Sequence, residues 1–313
     1  MSKSALLKSS IAKKYWMALT GLFLCLFLVG HLAGNLQLIL KTGEEGKRAF
    51  NEYAYFMANN PAIKILSYLT YISIIFHAVD GIMLAFQNKK ARPIPYAHSN
   101  PSANSSIASR NMAVLGTLIL VFIATHMANF WWKAKISSDQ FPLHFKTVTK
   151  EQEKQKIKFT YILTTKGEYV PYCVKDELSG IYYNLNTGEP ILNKADSSNL
   201  KIKNENELYD KMNDIKLSEG YKDLHSLVFA FFGHNKTKEG FPVNNMALGA
   251  IIFYTLSMLV LGFHLWHGFS SAFQTLGVNH SSYTPWIKKA GYGFAVIVPL
   301  LFAIIPILIF FTK

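Results

Sequence analysis

Five long apolar segments limit this chain to a membrane-embedded helical fold. Each is about as long as the roughly 20 residues that a helix needs to cross a hydrocarbon core of about 30 Å. Backbone amides in hydrocarbon must find partners within their own segment, which an α-helix provides. We therefore predict an all-α integral membrane protein with five transmembrane helices. The segments are Tyr15–Leu40, Ile65–Gln87, Asn111–Trp132, Met246–Phe273 and Ala290–Phe311.

The composition agrees with a membrane protein. Of the 313 residues, 50% are hydrophobic and only 16% are charged, whereas about a quarter are charged in an ordinary soluble domain. The first segment is too long for the apolar core of a signal peptide, so we expect it to be a span. Cys25 lies in an apolar stretch and Cys173 in a polar one, and no C-x-x-C-H is present. Neither a disulfide nor covalently attached haem is therefore expected.

The distribution of positive charge predicts how the spans are oriented. The net charge is +13, and residues 1–14, 88–110 and 274–289 together carry ten Lys or Arg and no Asp or Glu. The loop at 41–64 instead mixes four cations with three Glu. The positive-inside rule then places the N-terminus of this multi-pass protein in the cytoplasm and its C-terminus outside. No basic stripe is interleaved with aromatic residues, so we expect no nucleic acid partner.

The chain divides into two membrane parts separated by a polar insertion. Residues 1–133 hold the first three helices, 134–222 form the insertion on the outer side, and 223–313 hold helices four and five. The insertion is rich in Lys, Glu and Asn and contains no metal, phosphate or nucleophile motif.

The sequence of the insertion leaves its structure open between a small α+β domain and a partly disordered loop. Short runs at Lys158–Leu163, Tyr169–Val174 and Ile181–Leu185 predict strands separated by turns that contain glycine. The amphipathic stretch Glu205–Ile215 predicts a helix.

Five of the ten histidines lie inside the predicted spans. Ionisable side chains are costly in a bilayer, so an intramembrane histidine is a functional hypothesis by default. The alternative for any one of them alone is an imidazole hydrogen bonded to a neighbouring helix. The five are His31, His77, His126, His264 and His267.

Four of these histidines fall at two matched depths. With the N-terminus inside, His31 and His126 lie about 16 and 15 residues from the cytoplasmic ends of their spans, and His77 and His264 lie about 10 and 9 residues from theirs. At about 1.5 Å of rise per residue, these positions form two tiers. Two imidazoles at equal depth on two helices can hold a haem iron from both faces. We predict an outer haem between His31 and His126 and an inner haem between His77 and His264.

Small residues lie one turn from three of the predicted ligands. They would leave space where a macrocycle approaches the backbone, although glycine in membrane helices also serves helix packing. The three are Gly34, Gly81 and Gly268.

Two further polar residues lie close to the inner pair. His267 follows His264 by three residues and points about 60° away from it around the helix, so we expect it to form hydrogen bonds rather than to bind iron. Asp80 lies one turn from His77. It either contributes to the surroundings of the haem propionates or extends to the membrane surface.

An iron with two protein ligands has no open position, so we expect electron transfer rather than oxygen chemistry. The chain carries no flavin or dinucleotide fingerprint, no phosphate-binding loop and no cysteine set for an iron–sulfur cluster. Partner subunits on the cytoplasmic side must then carry those groups, and a lipid-soluble quinone is the other electron carrier.

Two runs in the apolar segments, together with the histidines described above, carry a family resemblance. The runs are Leu19–Leu24 with Leu26–Phe27 and Gly30–His31, and Phe263–His264 followed by Gly268 and Gly277. They resemble the cytochrome b subunit of succinate dehydrogenase and fumarate reductase, of the dihaem b558 type. The resemblance covers roughly residues 5–133 and 223–313.

The resemblance implies a five-helix anchor for a flavoprotein and an iron–sulfur subunit that act on succinate and fumarate. It implies two b-type haems on the same ligand pairs, which relay electrons to a quinone, commonly menaquinone. Family members can carry a Glu beyond the outer end of the first helix, and Glu52 is the nearest match. Glu52 is thus a candidate for quinone protonation, or else a solvated loop carboxylate. The insertion departs from the compact family pattern.

Two other functions stay open on the sequence alone. One is the cytochrome b subunit of a different membrane oxidoreductase, such as a hydrogenase or a formate dehydrogenase. The other is a transporter or structural membrane protein without haem, in which the histidines relay protons or pack. The direction of turnover between succinate and fumarate is not readable from these ligands.

Overall fold

The computed structural model describes residues 9–91, 93–94, 100, 103, 105–137, 141–152, 155–233 and 240–311. Lys3, Lys8 and Arg92, which contribute to the predicted topology, lie outside these residues. The chain forms two compact units, which we name the helical unit and the sheet unit. The helical unit contains the described parts of Met1–Ile39, Asn59–Ala128 and Met246–Lys313, and the sheet unit those of Leu40–Ala58 and Asn129–Asn245.

The helices of the chain include five that are long and apolar enough to cross a membrane, as the sequence predicts for a multi-pass membrane protein. They extend a few residues beyond most of the predicted limits. In chain order, the first to fifth spans are Ile11–Leu40, Pro61–Lys90, Met112–Lys135, Ala247–Thr275 and Thr284–Phe311.

Local signals fix where the second span begins. Asn60 has an extended backbone, and its side chain accepts hydrogen bonds from the amides of Ala62 and Ile63. Pro61 occupies the first helical position, where its missing amide proton costs nothing. At the other end, Lys89 and Lys90 lie in the last turn, where their charges interact favourably with the helix dipole.

The third span is irregular directly after His126. The α-helix Met112–His126 continues as a π-helix over Met127–Trp132 and then as one α-turn, Lys133–Lys135. A π-helical segment inside an α-helix is rare and is frequent at functional sites. The change of helical pitch alters the rotation of the residues that follow His126.

The fourth and fifth spans pack closely at Gly262. A Cβ at this position would lie 3.1 Å from the Ala295 carbonyl oxygen. Small residues at such positions allow helix backbones to approach in a membrane.

The described residues of the sheet unit form two antiparallel sheets. The strands are β1 Phe145–Gln152, β2 Gln155–Leu163, β3 Tyr169–Asp176, β4 Tyr182–Tyr183, β5 Pro190–Ile191, β6 Leu200–Lys203, β7 Glu207–Asp210 and β8 Lys216–Glu219. Strands β1–β5 pair in sequence order, and β6–β8 form the second sheet. Leu143, Ile162 and Leu208 form an apolar cluster of the unit.

Short helices complete both units. Gly43–Asn59 connects the first two spans along the chain and belongs, except for Asn59, to the sheet unit, as does Leu224–Phe232. Shorter helices of four residues are Ile107–Arg110, before the third span, and Lys194–Ser197, between strands.

The sequence predictions for the insertion are right for the strands and wrong for the helix. The three predicted runs correspond to β2, β3 and β4. The stretch Glu205–Ile215 instead contains β7 and a turn. Glu205 and Asp214 have positive φ angles of 71° and 55°, which are incompatible with a continuous α-helix. The sheet unit is also larger than the predicted insertion at 134–222, because it includes Leu40–Ala58 and continues to Asn245.

A buried polar cluster lies inside the sheet unit. Asn51 is buried and donates a hydrogen bond to Asp223, whose other carboxylate oxygen lies 2.9 Å from Lys47 Nζ. The amide nitrogen of Asn51 is also 3.1 Å from Nδ1 of the buried His144, whose Nε2 is 2.6 Å from a Glu44 oxygen. Buried polar groups require such partners, so this cluster ties the helix Gly43–Asn59 to the strands and to Leu224–Phe232.

Candidate functional site

Two histidine pairs lie inside the helical unit, and they are the pairs expected from depth. The ring centroids of His31 and His126, on the first and third spans, are 5.9 Å apart. Those of His77 and His264, on the second and fourth spans, are 6.1 Å apart. The helices therefore bring each pair together across the bundle.

These separations suit two imidazoles on opposite sides of one metal ion. A metal–imidazole nitrogen bond is about 2.0–2.1 Å, and the ring centroid lies about 1.1 Å behind that nitrogen, so the two centroids should be about 6.2–6.4 Å apart. The observed values lie within about 0.5 Å of this range. Rotation of a ring about its iron–nitrogen bond leaves the centroid distance unchanged. The crossing angles of 87° and 67° between the ring planes are therefore not an obstacle.

The surroundings of His77 fix its tautomer. Its Nδ1 lies 3.2 Å from the Met17 carbonyl oxygen and 3.3 Å from Thr20 Oγ1. A carbonyl oxygen only accepts hydrogen bonds, so Nδ1 must carry the proton and donate it. Nε2 is then the nitrogen with a free lone pair, as a metal ligand requires.

Aromatic rings surround the outer pair. Phe27 stacks on His31 at 5.3 Å, and Phe302 of the fifth span lies 5.7 Å from the same ring. On the other side, Phe122 and Tyr254 lie 5.7 Å and 6.0 Å from His126. Such an apolar shell is the medium in which a flat hydrophobic macrocycle can be bound.

His264 carries an unsatisfied polar atom. Its Nδ1 is buried and has no hydrogen-bond partner among the described residues. An unpaired buried nitrogen is costly, and each such atom needs an explanation, one of which is a group that the structure does not contain. Gly116 faces this ring, since a Cβ there would lie 3.8 Å from His264 Cε1.

The predicted glycines are not the ones closest to a histidine. A Cβ at Gly81 or Gly268 would make only ordinary contacts, at 3.9 Å and 4.0 Å, with methionine side chains. Gly34 is buried in the first span. The closest approach is at Gly21, where a Cβ would lie 3.1 Å from His77 Cε1. Sequence reasoning missed this role of Gly21, although the residue belongs to the run that carries the family resemblance.

His267 and Asp80 are both partly buried, and each follows a histidine of the inner pair by three residues in the sequence. His267 lies on the fourth span, one residue after Trp266, which stacks on Tyr292 of the fifth span at 4.4 Å. Neither residue forms a metal-binding group with other ligand side chains, because the described residues contain no cluster of three or more His, Cys, Asp or Glu suited to an ion. A haem iron takes only two protein ligands, since the porphyrin supplies the others.

Glu52 lies on a helix and not in a loop. It belongs to Gly43–Asn59 in the sheet unit, where one of its oxygens is 2.7 Å from Arg48 Nε. The side chain is 37% exposed, so the ion pair is partly solvated.

Comparisons of the chain with protein families, with characterised proteins and with solved structures give no match.

Proposed function

We propose that this chain is the membrane-anchor cytochrome b subunit of a succinate:quinone oxidoreductase or quinol:fumarate reductase. It holds two b-type haems that relay electrons between an iron–sulfur subunit and a membrane quinone, such as menaquinone. The dicarboxylate chemistry takes place on a partner flavoprotein, because this chain has no motif for it.

The observation that carries the proposal is the pairing of the four intramembrane histidines. Each pair joins alternate spans at a separation suited to one iron, 5.9 Å for the outer pair and 6.1 Å for the inner pair. The family resemblance, which names the same pairs, supports the choice of succinate and fumarate over other substrates.

When bound, haem supplies a one-electron carrier, and the residues of this chain determine what else it can do. His31 with His126, and His77 with His264, would each hold one haem iron through two imidazoles, which would suit it to electron transfer and not to binding oxygen or substrate. Phe27, Phe302, Phe122 and Tyr254 would give the outer haem an apolar surrounding. The hydrogen bond from His77 to Met17 holds its ring in the tautomer that can bind iron.

The partners and the orientation follow from charge and from missing motifs. The cytoplasmic side carries the excess of Lys and Arg, and the flavoprotein and iron–sulfur subunits dock there in the proposal. The chain then lies in a bacterial inner membrane with its N-terminus in the cytoplasm and its C-terminus outside. Glu52 remains the candidate for exchanging protons with the quinone; its carboxylate is accessible, and Arg48 holds one of its oxygens.

A reduced-minus-oxidised absorption spectrum of the purified chain tests the proposal. A b-type α band on reduction with dithionite is expected, and a protein that uses its histidines only for packing or proton transfer shows none. Purification of the intact complex separates the two redox candidates. A succinate or fumarate enzyme brings with it a flavin-containing subunit that oxidises succinate, and a hydrogenase or formate dehydrogenase does not.

A further inference from the structure

The first span contacts the inner histidine pair without supplying a ligand to it. Met17, Thr20 and Gly21 lie within a little more than one helical turn, and all three approach His77 of the second span. The ring therefore lies against a surface made of one carbonyl, one hydroxyl and one glycine.

Thr20 is the side chain in this group that can tune the ring. It is buried, and its hydroxyl donates to its own helix, to the Trp16 carbonyl at 2.8 Å. With its proton used there, Oγ1 presents a lone pair to His77 Nδ1 at 3.3 Å. The Nδ1 proton is thus shared between the Met17 carbonyl and the Thr20 hydroxyl.

We propose that Thr20 is a positioning residue for the inner haem: it orients His77 and lowers the redox potential of the iron that His77 binds. The inference rests on the proposed function, because it requires haem at the inner pair. An acceptor on Nδ1–H makes the imidazole a more basic ligand. A more basic ligand stabilises ferric over ferrous iron. Removing one acceptor therefore favours the reduced state.

Thr20→Val tests this role, because valine keeps the branched shape and lacks the hydroxyl. In the haem-loaded protein, we expect the oxidised-to-reduced ratio of the inner haem at a fixed potential to fall about threefold, the effect of one long hydrogen bond. At 59 mV per tenfold for one electron, this raises the midpoint potential by about 28 mV. The outer haem should not change. The measurement is a redox titration followed by absorption, with haem counted per chain.

Two further variants separate the hydroxyl from packing. Thr20→Ser keeps the hydroxyl and should match the wild type. Thr70→Val is the control, since Thr70 is also buried, lies on the same span as His77 and donates only to the Leu66 carbonyl in the described structure. It should leave both potentials unchanged. If Thr20→Val does not retain the inner haem, Thr20→Ala takes its place in the comparison with Thr20→Ser.

The outcomes separate a failure of the role of Thr20 from a failure of the proposed function. An unchanged inner potential in Thr20→Val, or an equal shift in Thr20→Ser, would overturn the role of Thr20 and leave the electron relay intact. A folded wild-type chain that binds no haem would overturn the proposed function itself.

Discussion

At the scale of single residues, the four intramembrane histidines differ in the hydrogen-bond partners of their ring nitrogens. An imidazole in hydrocarbon needs a partner to offset the loss of hydration. His77 has the Met17 carbonyl on one nitrogen, whereas His264 has a buried nitrogen with no partner among the described residues. Iron at the inner pair would take up the lone pair of His77 Nε2, the nitrogen that the hydrogen bond to Met17 leaves unprotonated.

Substitution of one ligand should remove one haem. We expect His31→Ala or His126→Ala to lose the outer haem and to keep the inner one, because the two pairs share no ligand. His77→Ala or His264→Ala should do the reverse. Haem per chain, measured by the pyridine haemochrome method, checks this. His267→Ala is the matched control and should retain both haems; loss of both haems from any folded single variant would contradict the pairing.

The buried ion pair of the sheet unit should be essential for its stability. Asp223→Ala removes the partner of Lys47 and the N-terminal cap of the helix Leu224–Phe232. Lys47, whose side chain is 14% exposed, keeps the Phe145 carbonyl as an acceptor. Removing one partner of a largely buried ion pair costs up to about 3–5 kcal/mol in free energy of unfolding. The loss of stability of the sheet unit can be measured by proteolysis of the full chain across a urea series. Mass spectrometry of the fragments shows which cleavage sites lie in this unit. Asp214→Ala, which removes an exposed partner of Lys203, should have a much smaller effect, and equal effects would refute the argument.

At the scale of elements, apolar length was sufficient to predict the spans, and depth was sufficient to predict the histidine pairs. Both depend on position along a helix, which the sequence contains directly. The contacts of Thr20 and Gly21 with His77 depend on how two helices are rotated and packed, and no spacing in one chain reports that. For the same reason the sequence named Gly81 and Gly268, which lie on the same helices as the ligands, and missed Gly21.

The sheet unit shows a second limit of sequence reasoning. Met212 and Ile215 are apolar residues of the stretch Glu205–Ile215, over which a helix was predicted. Met212 is exposed within a turn, and Ile215 is exposed shortly after that turn. Only Leu208 of that stretch enters the core. The helix Gly43–Asn59 was not predicted, because its order depends on a polar cluster whose other members lie about a hundred or more residues away in sequence.

Gly21→Ala should disturb the inner haem selectively. The added Cβ would lie 3.1 Å from His77 Cε1, closer than most real contacts, so the ring must move. Overpacking costs about 1–3 kcal/mol, which corresponds to a loss of about 5- to 150-fold in affinity for the inner haem. Haem titration of the apoprotein measures it. Gly30→Ala on the same helix meets nothing within 4 Å and is the control; similar affinities for all three proteins would argue against the contact.

The sheet unit should lose stability in acid. Partial burial alone raises the pKa of Glu44, but hydrogen bonds and electrostatic attraction from His144, together with a hydrogen bond from Tyr169, outweigh it and lower the pKa below its ordinary value. Burial likewise raises the pKa of Asp223, and Lys47 and Asn51 more than compensate. A depressed carboxyl pKa adds stability that is present at neutral pH and is lost as the pH falls through the folded-state value.

Urea midpoints of the sheet unit should therefore decrease below the ordinary Glu pKa of 4.5. Glu44→Gln removes one of the titrating groups and should flatten this decrease, whereas Glu45→Gln, at an exposed neighbouring position, should not. A midpoint that stays constant between pH 6 and about pH 3 would contradict the assignment.

At the scale of the whole molecule, the two units contain different polar groups. The helical unit contains both histidine pairs, and the sheet unit contains the larger polar network. In the proposal, the helical unit carries electrons and anchors the catalytic subunits. Glu52, the candidate for exchanging protons with the quinone, is the residue that the sheet unit contributes to the proposal. The insertion within this unit departs from the compact pattern of the family that the sequence resembles.

Haem content is the most direct test of the central claim, that two imidazole pairs each hold one iron. Pyridine extraction of the purified, folded chain should yield two molecules of haem b per polypeptide, and the reduced spectrum should show a b-type α band. A folded chain that contains no porphyrin would contradict the account.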